Sequence, residues 1–288
     1  MLRGVVWWRI LSFRLWVLNV PASSTTPKRR RSRLLRYSLR SLFVATAVIG
    51  VLLAMYVVPA ERQRRAVAVI EDAGGHVFYG YDLEGQEMPW LGRMLGRDYA
   101  AESHDAWLVG ETDAPFIAAC QLRTLRGINL MHGDAPDSRL LLLADLKDLR
   151  ELHLQRAAVT DDGLALLAGM VHLEVLLLDE CPITDKGLGH FRTLRSLRAL
   201  GLSGTSITDA GMCVLAKLPN LEVLSINETV VSDDGLAELH SCDKLMVLTI
   251  WNTSTTERGI SRFREQCPQC EVVWPEGELL SVPPVFEE

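Results

Sequence analysis

Leu125, Leu149, Leu173, Leu197, Leu221 and Leu245 follow one another at intervals of 24 residues. Three and five places after each comes another apolar pair: Ile128 and Leu130, Leu152 and Leu154, Leu176 and Leu178, Leu200 and Leu202, Leu224 and Ile226, Leu248 and Ile250. Alternation of this kind turns one face of a short strand inward. The second half of each block also returns, as Thr160-Asp161-Asp162-Gly163-Leu164, Thr184-Asp185-Lys186-Gly187-Leu188, Thr208-Asp209-Ala210-Gly211-Met212 and Ser232-Asp233-Asp234-Gly235-Leu236. Three residues beyond each final Leu or Met stand Leu167, Phe191, Leu215 and Leu239, which is helical spacing. A hydroxyl or carboxylate just ahead of such a helix is expected to cap it. No unit of strand, tight loop and short helix can bury its apolar face alone, so the units must stack. The spacing predicts an α/β solenoid with a parallel sheet along its concave face.

Charge divides the chain. The net charge of −6 conceals ten basic and no acidic residues in 1–60, which leaves the other 228 residues at −16. An acidic body is poorly suited to nucleic acid. Residues 41–60 (SLFVATAVIGVLLAMYVVPA) carry no charge and, as a helix, would extend roughly 30 Å, about the thickness of a bilayer's hydrocarbon core. Seven cations from Lys28 to Arg40 precede this run, and Arg62, Arg64 and Arg65 follow it. The expectation is a single transmembrane helix in the cytoplasmic membrane, contacting lipid through residues 41–60, with the N-terminus cytoplasmic and the repeats extracytoplasmic. A cleaved signal peptide and a buried soluble helix stay open as alternatives. Residues 1–27 alternate Trp and Leu with Arg and would suit an in-plane surface helix, or an early start codon; no role is assigned to them.

The domain boundaries expected are 1–40 for a basic segment, 41–60 for the membrane helix, 61–103 for an N-terminal cap, 104–274 for the repeats and 275–288 for an acidic tail. In the cap, Glu61 to Ala73 reads as a helix with Ala66, Val69 and Ile70 on one face, stopped by Gly74-Gly75. Val77 to Tyr81 reads as a strand, 82–89 as turns, and Trp90 to Leu95 as a short helix. A degenerate first repeat places Trp107, Val109, Ile117 and Cys120 inward. Adding 24 to Leu248 and Ile250 lands on Val272 and Trp274, a closing strand.

The block Leu197 to Met212 resembles the cysteine-containing type of leucine-rich repeat. Arg36 to Leu42 leading into the apolar run, then Arg64 to Gly75 with Val77-Phe78-Tyr79, is similar to a bacterial family of membrane-anchored repeat proteins. The resemblance implies a leucine-rich-repeat solenoid preceded by a single transmembrane helix, with a recognition role and no catalytic residues. Ala135 to Arg139 and Thr255 to Gly259 depart from the repeated motif, as terminal units do.

Chemistry-bearing constellations are few. Cys267 and Cys270 form the one close cysteine pair; a local disulfide and two unpaired cysteines both stay open. Cys120, Cys181 and Cys242 read as core. The seven histidines do not cluster, and only His153 is expected on the strand face. The recurrent Asp161, Asp185, Asp209 and Asp233 fit helix capping better than calcium binding. No phosphate loop, zinc protease motif, nucleophile elbow or dinucleotide fingerprint occurs, so no enzyme, cofactor or metal is expected.

Eighteen positions from Gly127 to Trp251 face away from the core and include no Lys or Arg. Within them Val175, Ala199, Val223 and Val247 line up with Leu177, Trp251 and the polar Asp179, Ser203 and Asn227. This apolar stripe with a polar edge is the expected site for a protein or peptide partner. The alternative is a structural or self-assembling envelope element without a separate ligand.

Overall fold

The computed structural model describes residues 39–79, 103–109, 112–122, 124–130 and 136–274. The features expected at 1–27, 82–95 and 275–288 lie outside them. The elements are α1 (Leu39–Asp72), β1 (His76–Tyr79), β2 (Ser103–Leu108), α2 (Ala114–Ala119), β3 (Gly127–Leu130), α3 (Asp137–Leu143), β4 (Glu151–His153), α4 (Asp161–Leu167) and β5 (Val175–Leu177). After these come α5 (Asp185–Leu188), β6 (Ala199–Gly201), α6 (Asp209–Leu215), β7 (Val223–Ser225), α7 (Asp233–Glu238), β8 (Val247–Thr249), α8 (Glu257–Gln266) and β9 (Glu271–Val273). The nine strands form one sheet in chain order. β1 is antiparallel to β2, and every later pair is parallel.

The 24-residue spacing becomes register: Leu152 lies beside Leu176, Leu176 beside Leu200, Leu200 beside Leu224, and Leu224 beside Leu248. Leu149, Leu173, Leu197, Leu221 and Leu245 are all buried behind them, with the helical Leu164, Leu188, Met212 and Leu236 closing the layer. The closing strand β9 pairs Val272 with Leu248.

The expected transmembrane helix does not stand. Residues 41–60 lie inside α1, one helix of 34 residues. Among the described residues no helix is long and apolar enough to cross a membrane. A self-contained span would end at Ala60, whereas α1 runs on through Glu61, Arg62, Arg64, Arg65, Glu71 and Asp72. Ala66, Val67 and Ile70 of that continuation belong to the buried core. With the span go the single-pass placement in the cytoplasmic membrane, the predicted orientation and the lipid contact through residues 41–60. In the inward face of the continuation Ala66 and Ile70 are buried as expected, but Val67 takes the place expected of Val69, which is exposed. Its stop is as expected, for Gly74 adopts φ +87° and the Gly75 N–H donates to the Ile70 carbonyl at 2.9 Å.

The first repeat is out of register with its sequence reading. Ala106 and Leu108 point inward, while Trp107 is exposed. Ala106 pairs with Ile128, an offset of 22 rather than 24. In α2 Pro115, Phe116, Ala118 and Ala119 are buried, while Ile117 and the following Cys120 are exposed. Ala106 precedes the buried Phe116 by ten residues, whereas Ile128 precedes the buried Leu140 by twelve.

The recurrent aspartates join repeats rather than cap their own helices. Asp161 accepts from the Thr184 N–H at 2.8 Å and from its hydroxyl at 2.6 Å. Asp185 does the same to Thr208, Asp209 to Ser232 and Asp233 to Thr256. The hydroxyl is the cap: Thr184, Thr208 and Ser232 each accept from the N–H two residues on at 3.3 Å. The glycine of the motif has a steric cause. A Cβ on Gly187 would stand 2.5 Å from Asp161 Oδ1, and one on Gly211 2.5 Å from Asp185 Oδ1. At the N-terminal end the ladder is rewired. Asp137 bonds Thr160 in the usual way. Arg139, where other repeats have glycine, pairs with Asp113 at 3.1 Å and lies 4.8 Å from the Phe116 ring centre.

Candidate binding face

Strand pairing sorts the sheet face turned away from the core into two rows. One holds Asp105, Gly127, Glu151, Val175, Ala199, Val223 and Val247; the other holds Trp107, Asn129, His153, Leu177, Gly201, Ser225 and Thr249. Just beyond the strands, Gln155, Asp179, Ser203, Asn227 and Trp251 continue at the same spacing.

The expected stripe is assembled, but its apolar part is not open. Val175 and Ala199 are 8% and 6% exposed, closed over by neighbouring strands; Leu177, Val223 and Val247 are half-buried. Trp251, following β8, keeps 42% of its surface exposed. The polar edge is largely committed to itself. Asp179 accepts from the Ser203 N–H at 2.8 Å, and Asn227 from the Trp251 N–H at 3.0 Å. Ser225 joins the hydroxyls of Ser203 and Thr249, each at 2.7 Å, and Asn227 Nδ2 donates to Ser225 at 3.0 Å. These side chains are bonded to one another or to the backbone, and Trp251 is the most open large apolar group on that side.

In the other half of the face the sequence reading turned Gly127, Asn129, Glu151 and His153 outward but made no site of them. Phe78, Asp105, Trp107, Gly127, Asn129, Glu151 and His153 line an open pocket of about 270 Å3. The Phe78 and Trp107 rings meet edge to face with centres 5.0 Å apart. Burial raises the Asp105 carboxyl above its ordinary value, with the charges of His104 and Arg126 pulling it partly back. Burial raises Glu151 as well, and Asp105 and Glu174 add repulsion. Burial lowers the His153 imidazole against a smaller opposing pull from Asp179. Asn129 and His153 are joined at 3.3 Å. A signal for this site did exist: Ala106 and Leu108 alternate as well as Trp107 and Val109 do, and choosing them places Trp107 outside.

In this structure Cys267 and Cys270 are separate, buried thiols. Burial, with Cys267, Cys242 and Glu271 nearby, pushes Cys270 up to about 12. Cys181 and Cys242 are buried as expected, and Cys181 donates to the Leu154 carbonyl at 3.1 Å. Among the described residues no group of three or more His, Cys, Asp or Glu is arranged to hold a metal ion.

A family model described as "Leucine Rich repeat" matches residues 146–168. Comparison of the sequence with curated proteins gives no match. Among solved structures the chain is similar to an internalin C2 from Listeria monocytogenes, at 22% identity and a TM-score of 0.46, covering 72% of this chain and 81% of that one. It is also similar to a plant peptide hormone receptor, RGFR1, solved in complex with RGF2, at 15% identity and a TM-score of 0.37, covering 55% of this chain and 29% of that one. The matched segment runs from the turn after α3 through β4 and α4, and its pattern recurs every 24 residues toward the C-terminal end of the sheet, which makes the chain a leucine-rich-repeat protein.

Proposed function

We propose that the chain is a binding module that takes a protein or peptide along the open face of its sheet. In this reading residues 104–274 are the binding array, residues 61–103 its N-terminal cap, and no step of catalysis is required of either. One observation carries the reading. A face free of Lys and Arg from Gly127 to Trp251 is flanked by exposed tryptophans, Trp107 at 40% on the neighbouring strand and Trp251 at 42%. Tryptophan is a favoured anchor because it buries much area at little entropic cost. The half-buried Leu177, Val223 and Val247 extend the contact, with Val175 and Ala199 beneath it and Asp179, Ser203 and Asn227 along its edge. The test is the pair Trp251→Ala and Val223→Asp in one chain, checked first for an unchanged melting temperature. A partner captured by the parent should bind this variant at least tenfold more weakly. Equal binding would remove the face from consideration, and capture of the chain by itself alone would replace a ligand with self-assembly.

A further inference from the structure

The pocket at the N-terminal end of the face has chemistry the rest of the face lacks. Asp105, Gly127 and Glu151 are neighbours on three adjacent strands. A Cβ on Gly127 would overlap the Asp105 carboxylate, so that carboxylate leans across the glycine toward Glu151. Two acids thus converge over a gap that only a glycine leaves open. Among the described residues neither carboxylate has an ion pair, and the charge of Asp105 disfavours a second one on Glu151. Phe78 and Trp107 wall the same space, Trp107 with 40% of its surface free. The charges of His104 and Arg126 act on Asp105 without forming an ion pair, and the eighteen outward positions from Gly127 to Trp251 bring no Lys or Arg.

We infer that this pocket receives an arginine side chain of the partner peptide, the guanidinium seated over Gly127 between Asp105 and Glu151 and its plane against Trp107. The inference rests on the peptide-binding reading above. Charge complementarity calls for a cation, and a planar, weakly hydrated guanidinium can bond carboxylates while stacking on an indole, which a lysine ammonium does less well.

The experiment uses the full chain and N-acetyl-Gly-Arg-Gly amide as probe, followed by NMR at the Trp107 indole N–H, assigned with Trp107→Phe. A saturable shift is expected for the arginine peptide, at least tenfold weaker affinity in Glu151→Gln and in Asp105→Asn, and no saturable shift with citrulline in place of arginine. The matching lysine peptide should bind more weakly. An unchanged affinity in both variants, equal binding of the citrulline peptide, tighter binding of the lysine peptide, or no shift up to the solubility limit of the probe would each overturn the inference. Should a captured partner require Trp251 yet ignore Glu151→Gln and Asp105→Asn, the arginine pocket falls while the binding face stands.

Discussion

Asp209 reaches across the joint between two repeats, accepting from the Ser232 N–H at 2.7 Å and from its hydroxyl at 2.6 Å, and a Cβ on Gly235 would come within 3.0 Å of the Asp209 Cα. One side chain thus fixes both the hydroxyl and the glycine of the next motif. Removing it leaves a backbone donor without its partner, at a cost of about 1–3 kcal/mol. Asp209→Ala and Gly235→Ala should each destabilise in urea unfolding. The double variant should lose less than the sum, because the alanine methyl then enters space the carboxylate has vacated. Strict additivity would mean the two positions do not share that space.

Leu200 and Gly201 are adjacent, point to opposite faces and are both buried. Leu200→Ala removes a core side chain that is 1% exposed and should cost about 2–5 kcal/mol. Gly201 lacks a positive φ, yet a Cβ there would stand 2.6 Å from Asp179 Oδ2. Displacing Asp179 strains its bond to the Ser203 N–H, so Gly201→Ser should cost on the order of 1 kcal/mol rather than nothing. Asp179→Ala in the same chain should erase most of the difference between Ser and Gly at 201. Equal costs for Leu200→Ala and Gly201→Ser would contradict the strand register.

The core was legible because leucine at a fixed spacing has one physical reading, burial on one side of a strand. The aspartate ladder was half legible. The motif showed that Asp161 and its equivalents matter, but a helix start explains an acid there equally well, and only the stacking reveals that each bonds the following repeat. The open face was least legible. From sequence, Val175 and Ala199 are small apolar groups on an outward row; whether they are accessible depends on how closely the neighbouring strands crowd them. At β2 the sequence reading set the register by Ile117, whereas Phe116 is the buried residue; that one-residue slip turned Trp107 inward, because successive strand residues face opposite ways.

A backbone feature was hidden in the same way. Arg156, Glu180, Glu228 and Asn252 adopt φ of 62°, 59°, 55° and 55°, and Gly204 shares their place in the repeat with φ 67°. Only one of the five is a glycine, so the left-handed turn leaves no consensus residue. A β-branched side chain tolerates this region worst. Gly204→Val should therefore destabilise by about 1–2 kcal/mol, and Gly204→Asn by clearly less. The measurement is thermal unfolding of both variants beside the parent; equal melting temperatures for Val and Asn would contradict the assigned φ.

Cys242 and Cys270 are buried thiols pushed up to about 11 and about 12, mainly by burial. The thiolate is the reactive species. Both should resist iodoacetamide at mildly alkaline pH in the folded chain and react once urea unfolds it. Mass spectrometry of the peptide holding Cys267 and Cys270 should find each carrying a separate adduct. Recovery of a linked pair from unreduced native protein would contradict the free thiols.

Acid should act on the N-terminal pocket with two opposite signs. The Glu151 carboxyl is raised from 4.5 in the folded chain, chiefly by burial, so its charged form burdens the fold. That burden is absent below the unfolded value and grows as pH rises through the folded value. Glu151→Gln should raise the melting temperature at neutral pH, with the gain shrinking as pH drops toward 4.5 and below. His153 behaves in reverse. Its imidazole is lowered from 6.5 by burial, so the folded chain favours the neutral ring. The stability this contributes is present above 6.5 and is lost as pH falls through the folded value. His153→Gln should flatten the part of the acid limb that begins just below 6.5 while leaving the limb near 4.5 in place. Melting curves of the parent and the two single variants, recorded from neutral pH down to the carboxylate range, separate the contributions. If Glu151→Gln gained nothing at neutral pH, the carboxylate would have to be solvated rather than held against Asp105, and the convergence of the two acids over Gly127 would be lost with it.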